Sequence, residues 1–469
     1  MTRKTLLILA AFVCLGGCTL APKYTRPEAP VSTEWPTGAA YQEIKAATGA
    51  PTALELGWQE FFTDPKLQKI IETALNNNRD LRLAALNVER VRGLYGIQQA
   101  ELFPAVNAVG EGAKQRIYSD FVGPGGGAIT TEQYSIDLGI AAWEIDFFGR
   151  IRSLKDQALE EYLATAEARR SAQIALVSEV ARVYLTLAAD LENLKLARST
   201  LATQQAAYDL IRRRYEVGVA SELDLRQAQT PLDTARGDVA RFTQIAAQDQ
   251  NALNLLAGSP VPENLLPADL ASVNPPQEIF AGLSSEALLN RPDIIAAEHR
   301  LKGAYALIGA ARAAFFPRIS LTTSAGTASG DLSGLFDSGS GTWNFAPKIS
   351  VPIFDARTWA AYRVSKAERE IALVQYEKTI QTAFREVADA LAVQGTVDQQ
   401  VSAQQSLTNA VADTYRLSEK RYSKGIDSYL GVLDAQRSLY AAQQKLISLR
   451  LAKLANQVRL YAVLGGGGD

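Results

Sequence analysis

Ala74-Leu75-Asn76-Asn77-Asn78-Arg79-Asp80, with the Leu102-Phe103-Pro104 that follows, returns later in the chain as Ala287-Leu288-Leu289-Asn290-Arg291-Pro292-Asp293 and Phe315-Phe316-Pro317. The two stretches overlie one another without a gap. A second alignment sets Arg214-Tyr215, Gly218, Ser221, Leu223, Ala228-Gln229 and Gly258 on Arg421-Tyr422, Gly425, Ser428, Leu430, Ala435-Gln436 and Gly465. Its spacing is six residues shorter, so the segment between Pro104 and Trp143 differs in length from that between Pro317 and Ser350, as a surface loop permits. Self-similarity over so long a period marks a repeated structural unit. The chain is two copies of one unit.

Each copy has the same order of parts. From Arg79 to Glu101 apolar residues fall at helical spacing (Leu83, Leu86, Val91, Leu94), and Pro104 stops the helix. Period-two alternation follows: Tyr134, Ile136, Leu138, Ile140 and Ala142 in the first copy, Trp343, Phe345, Ile349, Val351 and Ile353 in the second. Weaker partners precede these, at 105–114 and 319–327, which predicts two hairpins and four strands. Their tips are Gly-rich, at 122–127 and 330–341. From Ile151 to Glu216 there is neither proline nor glycine, and apolar residues recur at steps of three and four, predicting a rod of about 100 Å at ~1.5 Å per residue. Gly218 breaks it, Ser221 is an N-cap candidate for a returning helix, and Gly425 and Ser428 repeat the pattern.

The expected organisation is therefore a signal segment at 1–17, an extended N-terminal segment at 18–63, a first repeat at 64–257, a Pro-rich connector at 258–285, a second repeat at 286–464 and a flexible tail at 465–469. Arg3 and Lys4, the apolar run Leu6 to Leu15 and the small residues after it read as a secretory signal. Leu15-Gly16-Gly17-Cys18 resembles a bacterial lipobox, which makes Cys18 a lipidated first residue. Thr19 in place of an aspartate implies an outer-membrane address. Cys14 is removed with the signal, so neither a disulfide nor a cysteine metal site is expected. With 48 Lys plus Arg against 50 Asp plus Glu, nothing recommends a nucleic-acid partner.

Past residue 17 no stretch reaches the roughly 20 apolar residues of a spanning helix, so any membrane crossing falls to strands. Four strands cannot close a barrel, because known barrels need at least about eight and an open edge in lipid leaves backbone groups unpaired. Several chains must share one barrel. Three would supply an even twelve and two a narrower eight; the sequence prefers three.

Cys18-Thr19-Leu20-Ala21-Pro22-Lys23-Tyr24-Thr25-Arg26-Pro27, Trp58-Gln59-Glu60-Phe61-Phe62-Thr63-Asp64-Pro65, Asn290-Arg291-Pro292-Asp293 and the paired hairpin turns together resemble the TolC family of outer-membrane factors, in its OprM-type lipoprotein branch. The resemblance covers essentially the whole mature chain. It implies a mixed α+β membrane protein: a homotrimer with a twelve-stranded outer-membrane β-barrel, a twelve-helix periplasmic α-barrel, and an equatorial collar built from both termini and the connector. It implies an exit duct without cofactor or metal, working with a periplasmic adaptor and an inner-membrane transporter to pass drugs or other small compounds outward. By resemblance, Gly218, Ser221, Gly425 and Ser428 mark adaptor-facing tips. The same resemblance implies that the positions of Arg421, Tyr422, Leu430, Asp434 and Arg437 form the closed periplasmic gate, with Arg437, Arg421 and Tyr422 as the partners available to Asp434. In the first copy Gln227 and Thr230 stand where the second has Asp434 and Arg437.

Other readings are weaker. His299 lacks the partners of a triad or a metal site, and Gly123-Pro124-Gly125-Gly126-Gly127 lacks the Gly-Lys-Ser/Thr ending of a phosphate loop, so no enzyme class gains support. A tethered coiled-coil spacer would have no use for alternating strands bearing Trp343 and Phe345. That structural periplasmic lipoprotein and the outer-membrane component of a type I protein secretion system are the two alternative readings.

Overall fold

The structure is a computed structural model that describes residues 19–41, 53, 55–117, 128–279 and 284–468. Cys18 and the first strand tip lie outside these residues. The elements, in chain order, are α1 (Trp58–Phe61), α2 (Pro65–Asn77), α3 (Arg79–Ala100), β1 (Val106–Ile117), β2 (Ile129–Ile145), α4 (Arg150–Glu216), α5 (Glu222–Ala257), α6 (Pro292–Ala313), β3 (Arg318–Ser329), β4 (Gly341–Ser350), α7 (Ala356–Ser423) and α8 (Tyr429–Val463). The long helices α4 and α7 run to 67 and 68 residues. Among the described residues no helix is long and apolar enough to cross a membrane. By contact the chain divides into two units that cut across the repeat, each copy contributing to both.

The first unit comprises Met1–Glu28, Asn87–Thr165 and Ala296–Tyr376. It holds one antiparallel sheet in the order β1-β2-β3-β4, so the hairpins of the two copies lie side by side with β2 on β3. Val106 faces Ile140, Tyr134 faces Ser329 and Arg318 faces Ser350. The outer strands β1 and β4 are exposed along almost their whole length, and among the described residues neither has a second strand beside it. Trp343, Phe345 and Ile349 point large apolar side chains outward from β4. That strand ends at Ser350, so Val351 and Ile353 lie beyond it; Pro352, which cannot donate to a ladder, closes the alternation early. Close approach requires glycine at Gly139, where an added Cβ would lie 2.5 Å from the Thr323 carbonyl oxygen of β3. Next to it in the chain, a bulge between Ile140 and Trp143 sets Ala142 at φ 53°.

Charged side chains fasten this unit together. Glu144, at the foot of β2, accepts two bonds of 2.9 Å from Arg150 and lies 3.1 Å from Arg318, while the Arg152 backbone N–H donates to Asp146 at 2.9 Å. The stretch after Cys18 is held against α6: the Tyr24 hydroxyl donates to Glu298 at 3.0 Å, Arg26 pairs with the same carboxylate, and Arg312 donates to the Leu20 carbonyl at 3.1 Å. Lys302 is the third donor on Glu298, at 3.1 Å, and the Glu298 side chain is only 5% exposed. His299 meets Glu160 at 2.6 Å and is a packed, paired histidine.

The second unit comprises Ala29–Leu86, Ala166–Ile295 and Glu377–Asp469. Here Trp58, Phe61 and Phe62 are core residues, and the Phe61 ring stacks on Tyr461 near the C-terminus at 3.9 Å. Asp64 is buried because it caps α2, accepting from the Lys66 and Leu67 backbone at 2.9 and 3.1 Å, and takes the Asn274 N–H at 3.2 Å. Arg291 joins Asp293, Glu386 and the Val463 carbonyl, at 2.8, 3.2 and 2.6 Å, and so neutralises the C-terminal end of α8. The connector is held by Thr63 donating to the Pro275 carbonyl at 2.7 Å and by Lys195 with Asp269 at 3.1 Å. Connector and C-terminal helix thus pack with the segment around Trp58 as one body.

Candidate functional site

The site is built where the two helical hairpins turn. At the end of α4, Gly218 takes a left-handed φ of 77° and the Val219 N–H reaches back to the Arg214 carbonyl at 2.8 Å; at the end of α7, Gly425 has φ 74° and the Ile426 N–H reaches the Arg421 carbonyl at 3.0 Å. This closure satisfies carbonyls that a helix end leaves open, and only glycine adopts that φ without cost. The returning helices then start differently. Ser221 forms a capping box with Asp224 (3.1 Å from the Asp224 N–H, 2.9 Å from the Ser221 N–H to the carboxylate), whereas Ser428 makes no side-chain cap bond. Gly431 occupies the place of Asp224 in the second copy, so the reciprocal acid is missing there.

A different acid braces the second turn. Arg421 binds Asp427 with both ends of its guanidinium, at 2.5 and 3.1 Å, and this holds the Asp427 carboxyl below the usual carboxylate range. Ala220 stands where Asp427 would be in the first copy, and Arg214 instead crosses to the second hairpin, donating to the Tyr422 hydroxyl at 2.8 Å. Tyr422 in turn lies 5.1 Å from the Tyr429 ring, whose hydroxyl burial pushes up to about 12. At the start of α8, Leu430 is 50% exposed. Beyond it Asp434 pairs with Arg437 on the same helix, both side chains more than half exposed. Arg421, expected among the partners of Asp434, is occupied by Asp427; within one chain Asp434 has Arg437 alone of the three expected partners.

Asp434, Arg437 and Leu430 line a cleft of about 360 Å³ shared with Gln227, Thr230 and Pro231 of α5. Pro231 removes the N–H that would bond the Gln227 carbonyl, while its counterpart Ser438 adds a hydroxyl bond of 2.9 Å to the Asp434 carbonyl. The two walls of the cleft therefore differ in backbone support as well as in charge. Tyr440 ties α8 to α5 by donating to Asp238 at 3.1 Å. Sequence reading alone did not single out Arg214 as a cross-hairpin donor, nor Asp427; the repeat alignment carried the signal for both, since each copy keeps the arginine and only one keeps the acid. Among the described residues no cluster of three or more His, Cys, Asp or Glu could hold a metal ion.

The family model described as outer membrane efflux protein matches residues 70–259 and 283–466. The toluene efflux pump outer membrane protein TtgC of Pseudomonas putida is 50% identical, over 100% of this chain and 96% of its own. The outer membrane protein OprJ of Pseudomonas aeruginosa is 42% identical over 97% of this chain and 94% of its own. Among solved structures, the open state of the MtrE outer membrane channel of Neisseria gonorrhoeae superimposes with a TM-score of 0.86 at 38% identity, covering 96% of this chain and 99% of that one.

Proposed function

The chain belongs to the outer membrane efflux protein family, and from that premise we propose that it is the exit duct of a three-part efflux pump, receiving small apolar compounds and drugs from an inner-membrane transporter through a periplasmic adaptor. Relatives named for toluene and antibiotic efflux support this substrate class. The main support is a four-stranded sheet with outward apolar residues and two unpaired edges, encoded in the same chain as two long helical hairpins. Edges in lipid leave backbone groups unpaired, so β4 of one chain pairs with β1 of the next, and three chains close a twelve-stranded barrel. Cys18 carries the acyl anchor, and the turns at Gly218, Ser221, Gly425 and Ser428 take the adaptor.

The entrance rests closed on Tyr422, Leu430, Asp434 and Arg437, with Arg421 bracing the turn and Arg214 linking the two hairpins. Three copies of Asp434 about a threefold axis place carboxylates around one opening, where they favour cations. The decisive measurement is single-channel conductance in planar bilayers. The parent trimer should show small cation-preferring events, and replacing Asp434 together with Arg421 should raise conductance and weaken cation preference without loss of trimers. A double variant that conducts like its parent moves the gate elsewhere; a parent that forms no pores at all overturns the channel reading.

A further inference from the structure

Each copy of the repeat carries an arginine in the last turn of its long helix, and only the second copy supplies it with an acid. There Arg421 grips Asp427 through its Nε and Nη2 donors, at 2.5 and 3.1 Å. The alignment that sets Gly218 on Gly425 sets Arg214 on Arg421 and puts Ala220 in the place of Asp427. Arg214 commits Nη1 to the Tyr422 hydroxyl, a neutral acceptor at 2.8 Å, and makes no ion pair among the described residues. Its Nε and Nη2, the edge that holds a carboxylate in the other copy, have no hydrogen-bond partner among those residues.

Arg214 is half-buried and lines a cleft of about 520 Å³ whose walls come from α4, α7 and the first turns of α8. Leu210 and Ile211 of α4 and Val432 of α8 make part of the lining apolar, and the rings of Tyr422 and Tyr429, 5.1 Å apart, add an aromatic surface. Glu419 of α7 is the acidic side chain of the lining; it is exposed and accepts from the Tyr415 hydroxyl at 3.3 Å. A guanidinium edge with two unused parallel donors matches a carboxylate, which accepts both bonds in one plane. Clefts of this volume, apolar apart from a few placed polar groups, suit small organic ligands.

We propose that this cleft is a binding site for small amphipathic monocarboxylates. The ligand carboxylate takes the Nε and Nη2 edge of Arg214, as Asp427 takes that of Arg421, and its aromatic or aliphatic body lies along Leu210, Val432 and the two tyrosine rings. The first copy leaves open to a ligand the place that the second copy fills from its own chain. A bound carboxylate braces the turn after α4 as Asp427 braces the turn after α7.

Equilibrium dialysis of the purified full-length protein in neutral detergent against radiolabelled phenylbutyrate tests this, with uptake by empty micelles subtracted. The parent should bind phenylbutyrate saturably. Phenylbutanol and phenylbutylamine, which keep the apolar body and lack the carboxylate, should bind at least about tenfold more weakly, the scale set by loss of a hydrogen bond to a charged group. Arg214→Gln should weaken phenylbutyrate binding by a similar factor. Ala220→Asp, which gives the first copy the acid of the second, should do the same by occupying the guanidinium from within the chain. Parent protein that binds the alcohol as well as the acid overturns the site, and so does an Ala220→Asp protein with parental affinity. Absence of saturable binding, as when a neighbouring chain's carboxylate already holds Arg214 in the assembled protein, overturns it equally. Should Ala220→Asp fail to fold, undiminished binding by Arg214→Gln is the overturning result. No transport is measured, so the outcome is independent of the channel reading.

Discussion

Glu298, outside the hairpin turns, gathers three donors on one nearly buried carboxylate. Burial raises its pKa, but the bonds from Arg26, Lys302 and Tyr24 outweigh that and hold it at about 2. A depressed carboxyl contributes stability that is present above its ordinary value near 4.5 and lost as pH falls toward 2. Glu298→Gln should cost about 1–3 kcal/mol, because a charged acceptor of three donors is replaced by a neutral one. Thermal unfolding from pH 7 down to pH 3 should show the difference between parent and variant shrinking with acid; a constant difference would remove the charge from the explanation.

Between elements, the two helical turns share a glycine closure and differ in everything that braces it. The first is fixed by the capping box of Ser221 and Asp224, the second by Arg421 and Asp427. Ser221→Ala should therefore increase exchange in the first turn of α5 by an amount corresponding to about 1 kcal/mol, whereas Ser428→Ala should leave α8 nearly unchanged because that hydroxyl makes no cap bond. Equal effects would mean that the caps do not distinguish the turns. The bond from Arg214 to Tyr422 links the two turn regions directly through side chains. Tyr422→Phe deletes it while keeping the ring against Tyr429. Longer open times in single-channel records are expected, and unchanged gating would assign that bond to structure alone.

For the assembled protein, everything turns on the sheet edges. β1 and β4 each expose a row of ladder groups and apolar side chains such as Val109 and Trp343, which no other described strand covers. In lipid such edges must pair. Native mass measurement in detergent should give three chains, and a cysteine pair placed across the proposed β4 to β1 seam should link chains into ladders that stop at three. A protein that remains a monomer in lipid would overturn the shared barrel.

The duplication, the strand-and-hairpin order and the glycine turns were all legible in residue order. These are local or self-comparative properties: a period of two or of three and four, a proline that lacks a donor, a glycine that accepts positive φ, and two stretches that align without a gap. Ser221 was legible as a cap for the same reason, since a cap bonds within its own turn. Which partner each charged side chain takes was settled by packing in three dimensions. Arg421, expected to serve Asp434, is claimed by Asp427 six positions away, and Arg214 reaches Tyr422 in the other copy. Glu298 gave no sign of collecting donors from the N-terminal stretch. The pairing of two side chains far apart in sequence depends on how elements pack and on which alternatives burial removes, and no pattern of residue types along the chain encodes that competition.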